Sequence, residues 1–87
     1  MEVLPESQIE RVLEWYEKDP GEALVGDETL TMPLADLVAL FQPDDDDPDL
    51  LDVYEVEQAE VARLQKSVAH RIDLDAHDYF VAAYRKA

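Results

Sequence analysis

The sequence predicts a small α+β domain, strands and helices within one unit spanning residues 1–87. Three stretches carry that expectation. "EQAEVARLQKSVAH", from Glu57 to His70, is dense in helix formers and sets Val61, Leu64 and Val68 on one face. The run "KDPGEALVGDETLT" places an Asp19-Pro20-Gly21 turn before Ala23-Leu24-Val25, the composition of a hairpin. The closing "IDLDAHDYFVAAYRK" alternates at first and then gathers Tyr79, Phe80, Val81 and Tyr84, which favours a final strand. A chain of 87 residues makes one thin-cored domain, and 47% hydrophobic content is ample for folding.

In chain order, the first segment, "QIERVLEWYEK", reads two ways. Ile9, Val12, Leu13 and Tyr16 recur at helical spacing behind a Ser7 to Glu10 capping box, while Val12, Glu14 and Tyr16 alternate with Leu13, Trp15 and Glu17 as in a strand. Propensity leaves helix and strand nearly even. The hairpin signal comes next, with Gly26 expected to serve backbone geometry and Lys18 to pair locally with Asp19 or Glu22. Beyond it, Thr31 can cap a short helix from Pro33 to Phe41, whose Leu34, Leu37, Val38 and Phe41 form a stripe. Pro43 stops it. The stretch "QPDDDDPD", Gln42 to Asp49, holds five aspartates and two prolines in eight residues, which suits neither ladder nor helix and predicts a rigid, solvated loop. Val53, Tyr54 and Val56 suggest a short extended piece before the second helix.

"EWYEKDPGEALVGDETL", "DDPDLLDVYEV" and "LQKSVAHRIDLDAHDYF" occur in an order and at spacings that resemble a family of small uncharacterised bacterial proteins, a domain of unknown function. The resemblance covers roughly residues 9–81. It implies that the first segment is a strand and that the order is β-β-α-β-α-β, with a three- to four-stranded antiparallel sheet covered on one face by two helices. Asp27 stands where that family usually has Glu, His77 where an aromatic is more typical, and the acidic loop is heavier than its pattern. With no activity assigned to the family, the resemblance implies architecture and little function.

Charge narrows the functional classes. Against 22 Asp and Glu stand seven Lys and Arg, for a formal net charge of −15. Such a surface repels phosphates and anionic lipids, so neither direct nucleic-acid nor membrane binding is expected, and a basic protein partner is. There is no cysteine, hence no disulfide framework and no thiolate ligand. The N-terminal "MEVLPESQIE" lacks a basic region followed by an apolar run, which together with the absence of a long apolar segment predicts a cytoplasmic protein.

The residues that could carry chemistry give no enzyme signature, and no cofactor or metal is expected. Asp44, Asp46 and Glu55 match positions one, three and twelve of a calcium loop, but Pro48 and Asp49 occupy the places that need an oxygen ligand and a glycine. His70 and His77, interleaved with Asp73, Asp75 and Asp78, lack the spacing that fixes two imidazoles on one face. Ser7 and Ser67 sit in no nucleophile elbow. Most of Trp15, Tyr16, Tyr54, Tyr79, Phe80 and Tyr84 must be core, with Trp15 and Tyr54 the candidates for partly exposed contacts. Between Asp44 and Glu60 nine of seventeen residues are acidic.

These features together lead to the expectation of a non-enzymatic acidic binding protein, of the immunity type that neutralises a basic toxin or nuclease. Asp44, Asp45, Asp46, Asp47, Asp49, Asp52, Glu55 and Glu57 would supply contact charges and Tyr54 an aromatic anchor. A DNA-mimic regulator of a nucleic-acid-binding protein, or a housekeeping protein whose acidity serves only solubility, would have the same composition. The chain is expected as a monomer, or as a homodimer paired through an exposed edge strand.

Overall fold

A computed structural model describes residues 8–18 and 21–85. In chain order they form β1 (Ile9–Glu17), β2 (Leu24–Thr29), α1 (Leu34–Phe41), β3 (Tyr54–Glu55), α2 (Gln58–Gln65) and β4 (His77–Arg85). The four strands make one antiparallel sheet in the order β2-β1-β4-β3. The β-β-α-β-α-β order and the α+β class are therefore those expected. The Ser7 capping box and most of the Asp19-Pro20-Gly21 turn lie outside the described residues.

The even contest over the first segment resolves as a strand because β1 is central and pairs on both edges. Its ladder with β4 runs from Ile9 opposite Arg85 to Glu17 opposite His77. Alternation then sends Arg11, Leu13 and Trp15 to one face, all buried, and Glu10, Val12, Glu14 and Tyr16 to the other. Across the ladder Leu13 meets Val81 and Trp15 meets Tyr79, so the strongest apolar pairs of the sheet exist only in this register. A helix through the same residues would have left Trp15 off the Leu13 stripe.

Gly26 is needed for a different reason from the one its sequence context suggests. It does not have a positive φ. It lies opposite Trp15 in β2, and a Cβ there would sit 2.6 Å from the indole Cζ2, so only glycine lets the ring lie against the backbone. The register slips between Trp15 and Tyr16, where Tyr16 pairs with Leu24 and Val25 becomes the extra residue of a bulge.

Both helices are short and each buries one leucine, Leu37 and Leu64. Pro33 rather than Thr31 occupies the N-cap of α1, with no side-chain cap; Gln42 closes the helix in the left-handed region at φ 50°, its N–H donating to the Val38 carbonyl. A reciprocal Glu57–Glu60 capping box starts α2. That helix ends at Gln65, short of His70, because competing acceptors take the amides that would continue it. The Glu28 carboxylate, reaching over from β2, accepts the N–H groups of Ala69 and His70 at 2.7 and 3.0 Å. The Gln65 side chain bonds the His70 carbonyl and the Ile72 amide, folding the chain back.

The final strand likewise starts later than the alternation of Ile72 to Asp75 suggests. Asp73 turns the chain there, accepting the Asp75 amide on its side chain and those of Ala76 and His77 on its carbonyl. The core lies between one face of the sheet and the helices. Leu13, Trp15, Tyr79 and Val81 pack with Leu37 and Leu64, and with Leu30, Leu50, Val56 and Ile72 from the connections. The opposite face of the sheet carries neither helix. Among the described residues no helix is long and apolar enough to cross a membrane.

Candidate functional site

Two surfaces concentrate the charge. The first is the acidic stretch, which the fold fixes more firmly than its composition implies. Arg11, buried on the helix-covered side of β1, sends its guanidinium Nη2 to the Asp49 carbonyl at 2.6 Å. Leu50, next in sequence, adopts φ 54° and is fully buried, so it plugs the loop into the core. Two successive turns, closed by the Asp47 and Leu50 amides on the Asp44 and Asp47 carbonyls, shape the segment between.

Asp47 organises the passage from this loop into β3. Its carboxylate accepts the Leu51 and Asp52 amides at 2.9 and 3.1 Å and a short bond from the Tyr54 hydroxyl. These donors, the Tyr54 hydroxyl foremost, hold the Asp47 carboxyl below its usual range, helped by the positive charge of Arg11 and opposed by partial desolvation. The same bond, followed by desolvation and the neighbouring aspartates, pushes the Tyr54 hydroxyl up to about 12. Tyr54 is half-buried, its ring 5.7 Å from that of Phe41. Asp47 and Tyr54 are thus committed to internal contacts, whereas Asp44, Asp45, Asp46, Asp49, Asp52, Glu55 and Glu57 are exposed.

The two histidines do meet a common neighbour. His70 stacks on Trp15 with centroids 3.8 Å apart and places Nε2 2.7 Å from the Tyr79 hydroxyl. His77 meets the Tyr79 ring edge-on at 6.1 Å, and its Nδ1 is buried without a hydrogen-bond partner. The Tyr79 hydroxyl also accepts the Asp73 amide at 3.0 Å. This cluster fastens the loop after α2 to the sheet. Trp15, anticipated as a partly exposed contact, is only 9% exposed beneath His70. No group of three or more His, Asp or Glu side chains is placed to hold a metal ion among the described residues, the Asp44, Asp46 and Glu55 set included.

The second surface, which no motif in the sequence marks out, is the helix-free face of the sheet. At its centre Glu14 is 8% exposed, and its two carboxylate oxygens accept the hydroxyls of Tyr16, at 3.3 Å, and Tyr84, at 2.5 Å. Tyr16 packs edge-on against Phe80 at 5.6 Å. Together with Val53 these side chains line a depression of about 420 Å³, to which Glu17, Glu22 and Asp78 add carboxylates. Lys18, expected to pair locally, instead reaches Asp78 on β4 at 3.2 Å; Asp19 lies outside the described residues. The Tyr84 hydroxyl is pushed up to about 12, first by its bond to Glu14 and then by desolvation. Desolvation, then the Glu14 charge, raises the Tyr16 hydroxyl as well. The available signal was the alternation of Glu10, Val12, Glu14 and Tyr16, legible only once a strand is assumed.

No curated protein matches the chain. A family model, described as a domain of unknown function (DUF7683), matches residues 10–82, from the start of the central strand to near the end of β4. The chain belongs to that family.

Proposed function

We propose that this protein is a non-enzymatic binding module for a basic protein, acting as an immunity-type inhibitor of a toxin or nuclease in the cytoplasm. One observation carries the reading. The acidic loop is held in place by Arg11, Leu50 and Asp47, and this leaves Asp44, Asp45, Asp46, Asp49, Asp52, Glu55 and Glu57 exposed on a fixed backbone. A mobile tail would lose conformational freedom on docking; a pinned loop loses little, so its charges can contribute to affinity as well as to encounter rate. Asp47 and Tyr54 then act as the frame of the contact surface, with Tyr54 presenting only its uncovered edge.

The test uses the immobilised chain in lysate of its source cells at low and at high salt, beside a triple variant Asp44→Lys, Asp45→Lys, Asp46→Lys. A basic protein retained at low salt by the original chain and lost by the variant is the expected result. Recovery of no basic protein at either salt would sink the proposal. A retained protein that duplex DNA displaces would identify the chain as a DNA mimic instead.

A further inference from the structure

The helix-free face of the sheet has an organisation that general acidity does not require. Glu14 lies on the central strand, directly across from Asp27 on one side and Phe80 on the other. A carboxylate opposite a carboxylate costs stability, and a nine-tenths buried one costs desolvation as well. The hydroxyls of Tyr16 and Tyr84 solvate the charge without neutralising it. A carboxylate offers about four acceptor positions, and two hydroxyls leave the others open. Around it stand the rings of Tyr16, Phe80 and Tyr84; Glu17 and Glu22 contribute further negative charge to the same depression, while Asp78 there is paired with Lys18.

We propose that this depression receives one arginine side chain of a partner protein, its guanidinium stacked among Tyr16, Phe80 and Tyr84 and bonded to Glu14. The charge of the depression calls for a cation, and its aromatic walls favour the planar, weakly hydrated guanidinium over the compact, strongly hydrated ammonium. The two tyrosine hydroxyls already orient the acceptor, so the bound arginine replaces water at a carboxylate whose position is set before binding. The proposal rests on the reading that the partner is basic, but it assigns the specific contact to the open sheet face rather than to the acidic loop. The loop then serves encounter, and the sheet face serves recognition.

The probe is a capped Gly-Arg-Gly peptide, compared by NMR titration at 0.15 M salt with the same peptide carrying citrulline, the neutral isostere, and with a lysine version. The arginine peptide is expected to shift the signals of Glu14, Tyr16, Phe80 and Tyr84, and citrulline to bind at least about tenfold more weakly. Glu14→Gln removes the charge, keeps one oxygen to accept a tyrosine hydroxyl and puts an amide donor in place of the other, and should weaken arginine binding by a similar factor; core signals from Leu13 and Val81 report whether it is folded. Should that variant misfold, Tyr84→Phe supplies the second comparison. Equal binding of citrulline, shifts confined to Asp44–Asp46, or shifts that depend only on the protein's own concentration, as self-association would give, overturn the proposal. Charge reversal at Asp44 to Asp46 should leave tripeptide binding within about twofold, so failure at the sheet face and failure of the acidic-loop reading register separately.

Discussion

The two faces of β1 differ in what covers them, although they are built from alternate residues of one nine-residue segment. Arg11, Leu13 and Trp15 point under the helices, where each has a fixed partner: the Asp49 carbonyl, Val81 across the ladder, and the stacked His70. Glu10, Val12, Glu14 and Tyr16 point to the other side, where among the described residues carboxylates and aromatic rings stand together without a covering helix. One side carries a cation and two large apolar residues, the other two carboxylates, a valine and a tyrosine. The difference in covering layer commits the odd positions to the core and leaves the even ones outside it.

The largest expected effect compares neighbours on opposite faces. Leu13→Ala removes a fully buried side chain from the core and should cost about 2–5 kcal/mol in denaturant unfolding, whereas Val12→Ala, half-buried on the open face, should cost less than about 1.5 kcal/mol. Equal costs would mean that the open face is covered too. Gly26→Ala comes next, at about 1–3 kcal/mol, because the new methyl group meets the indole 2.6 Å away. In a Trp15→Leu background that penalty should shrink to within about 0.5 kcal/mol of zero, and a penalty that persists would place its origin in the backbone instead.

The contrast also explains how much the sequence discloses. The helices and the closing strand carry their own local signals: an apolar stripe in 58–65, and aromatic and β-branched enrichment in 77–85. Strand β1 carries both periods at once, so only pairing with β2 and β4 decides it, and that is tertiary information. The ends of elements escape a local reading for the same reason. Nothing near Gln65 announces that Glu28, 41 residues before Ala69, will take the amides that would extend α2. The acidic loop is visible as composition, but its anchorage is not, since Arg11 lies 38 residues before Asp49. Glu14 is hidden most completely, because its importance depends on which face of a strand receives no helix.

Smaller effects are expected from pH, and they separate the carboxylates that hold structure from those that face solvent. Asp47 and Glu28 both titrate below the ordinary carboxylate range in the folded protein, Asp47 chiefly through the Tyr54 hydroxyl and Glu28 chiefly through the amides of Ala69 and His70. A depressed folded value means that the unfolded chain takes up the proton first. The stability these groups contribute is therefore complete above the ordinary carboxylate range and is lost as pH falls through it toward the folded values. Asp47→Asn and Glu28→Gln should each flatten the acid limb of a stability–pH curve. A limb flattened equally by the same substitution at exposed Asp45 would show that loop charge, rather than hydrogen bonding, governs acid sensitivity.

The smallest effect on stability is expected where the effect on titration is clearest. Glu14→Gln leaves one tyrosine hydroxyl an acceptor oxygen, turns the other to accept from the amide NH2, and removes the charge facing Asp27, so its net cost should stay within about 1 kcal/mol of zero. Tyrosine ionisation reports the change directly by absorbance near 295 nm, a wavelength at which tyrosinate absorbs and tyrosine does not. In the original chain Tyr84, held up to about 12, ionises well above the ordinary value of 10 because its bond to Glu14 favours the protonated hydroxyl. A raised folded value makes this stabilisation complete below pH 10 and lost as pH climbs from 10 toward 12. In the Glu14→Gln variant Tyr84 should titrate closer to 10, while Tyr54, bound to Asp47 through the acidic loop, should keep its value near 12. A shift in both would mean that the general field of the acidic surface raises them; a shift in Tyr84 alone isolates Glu14 as the charge that raises it.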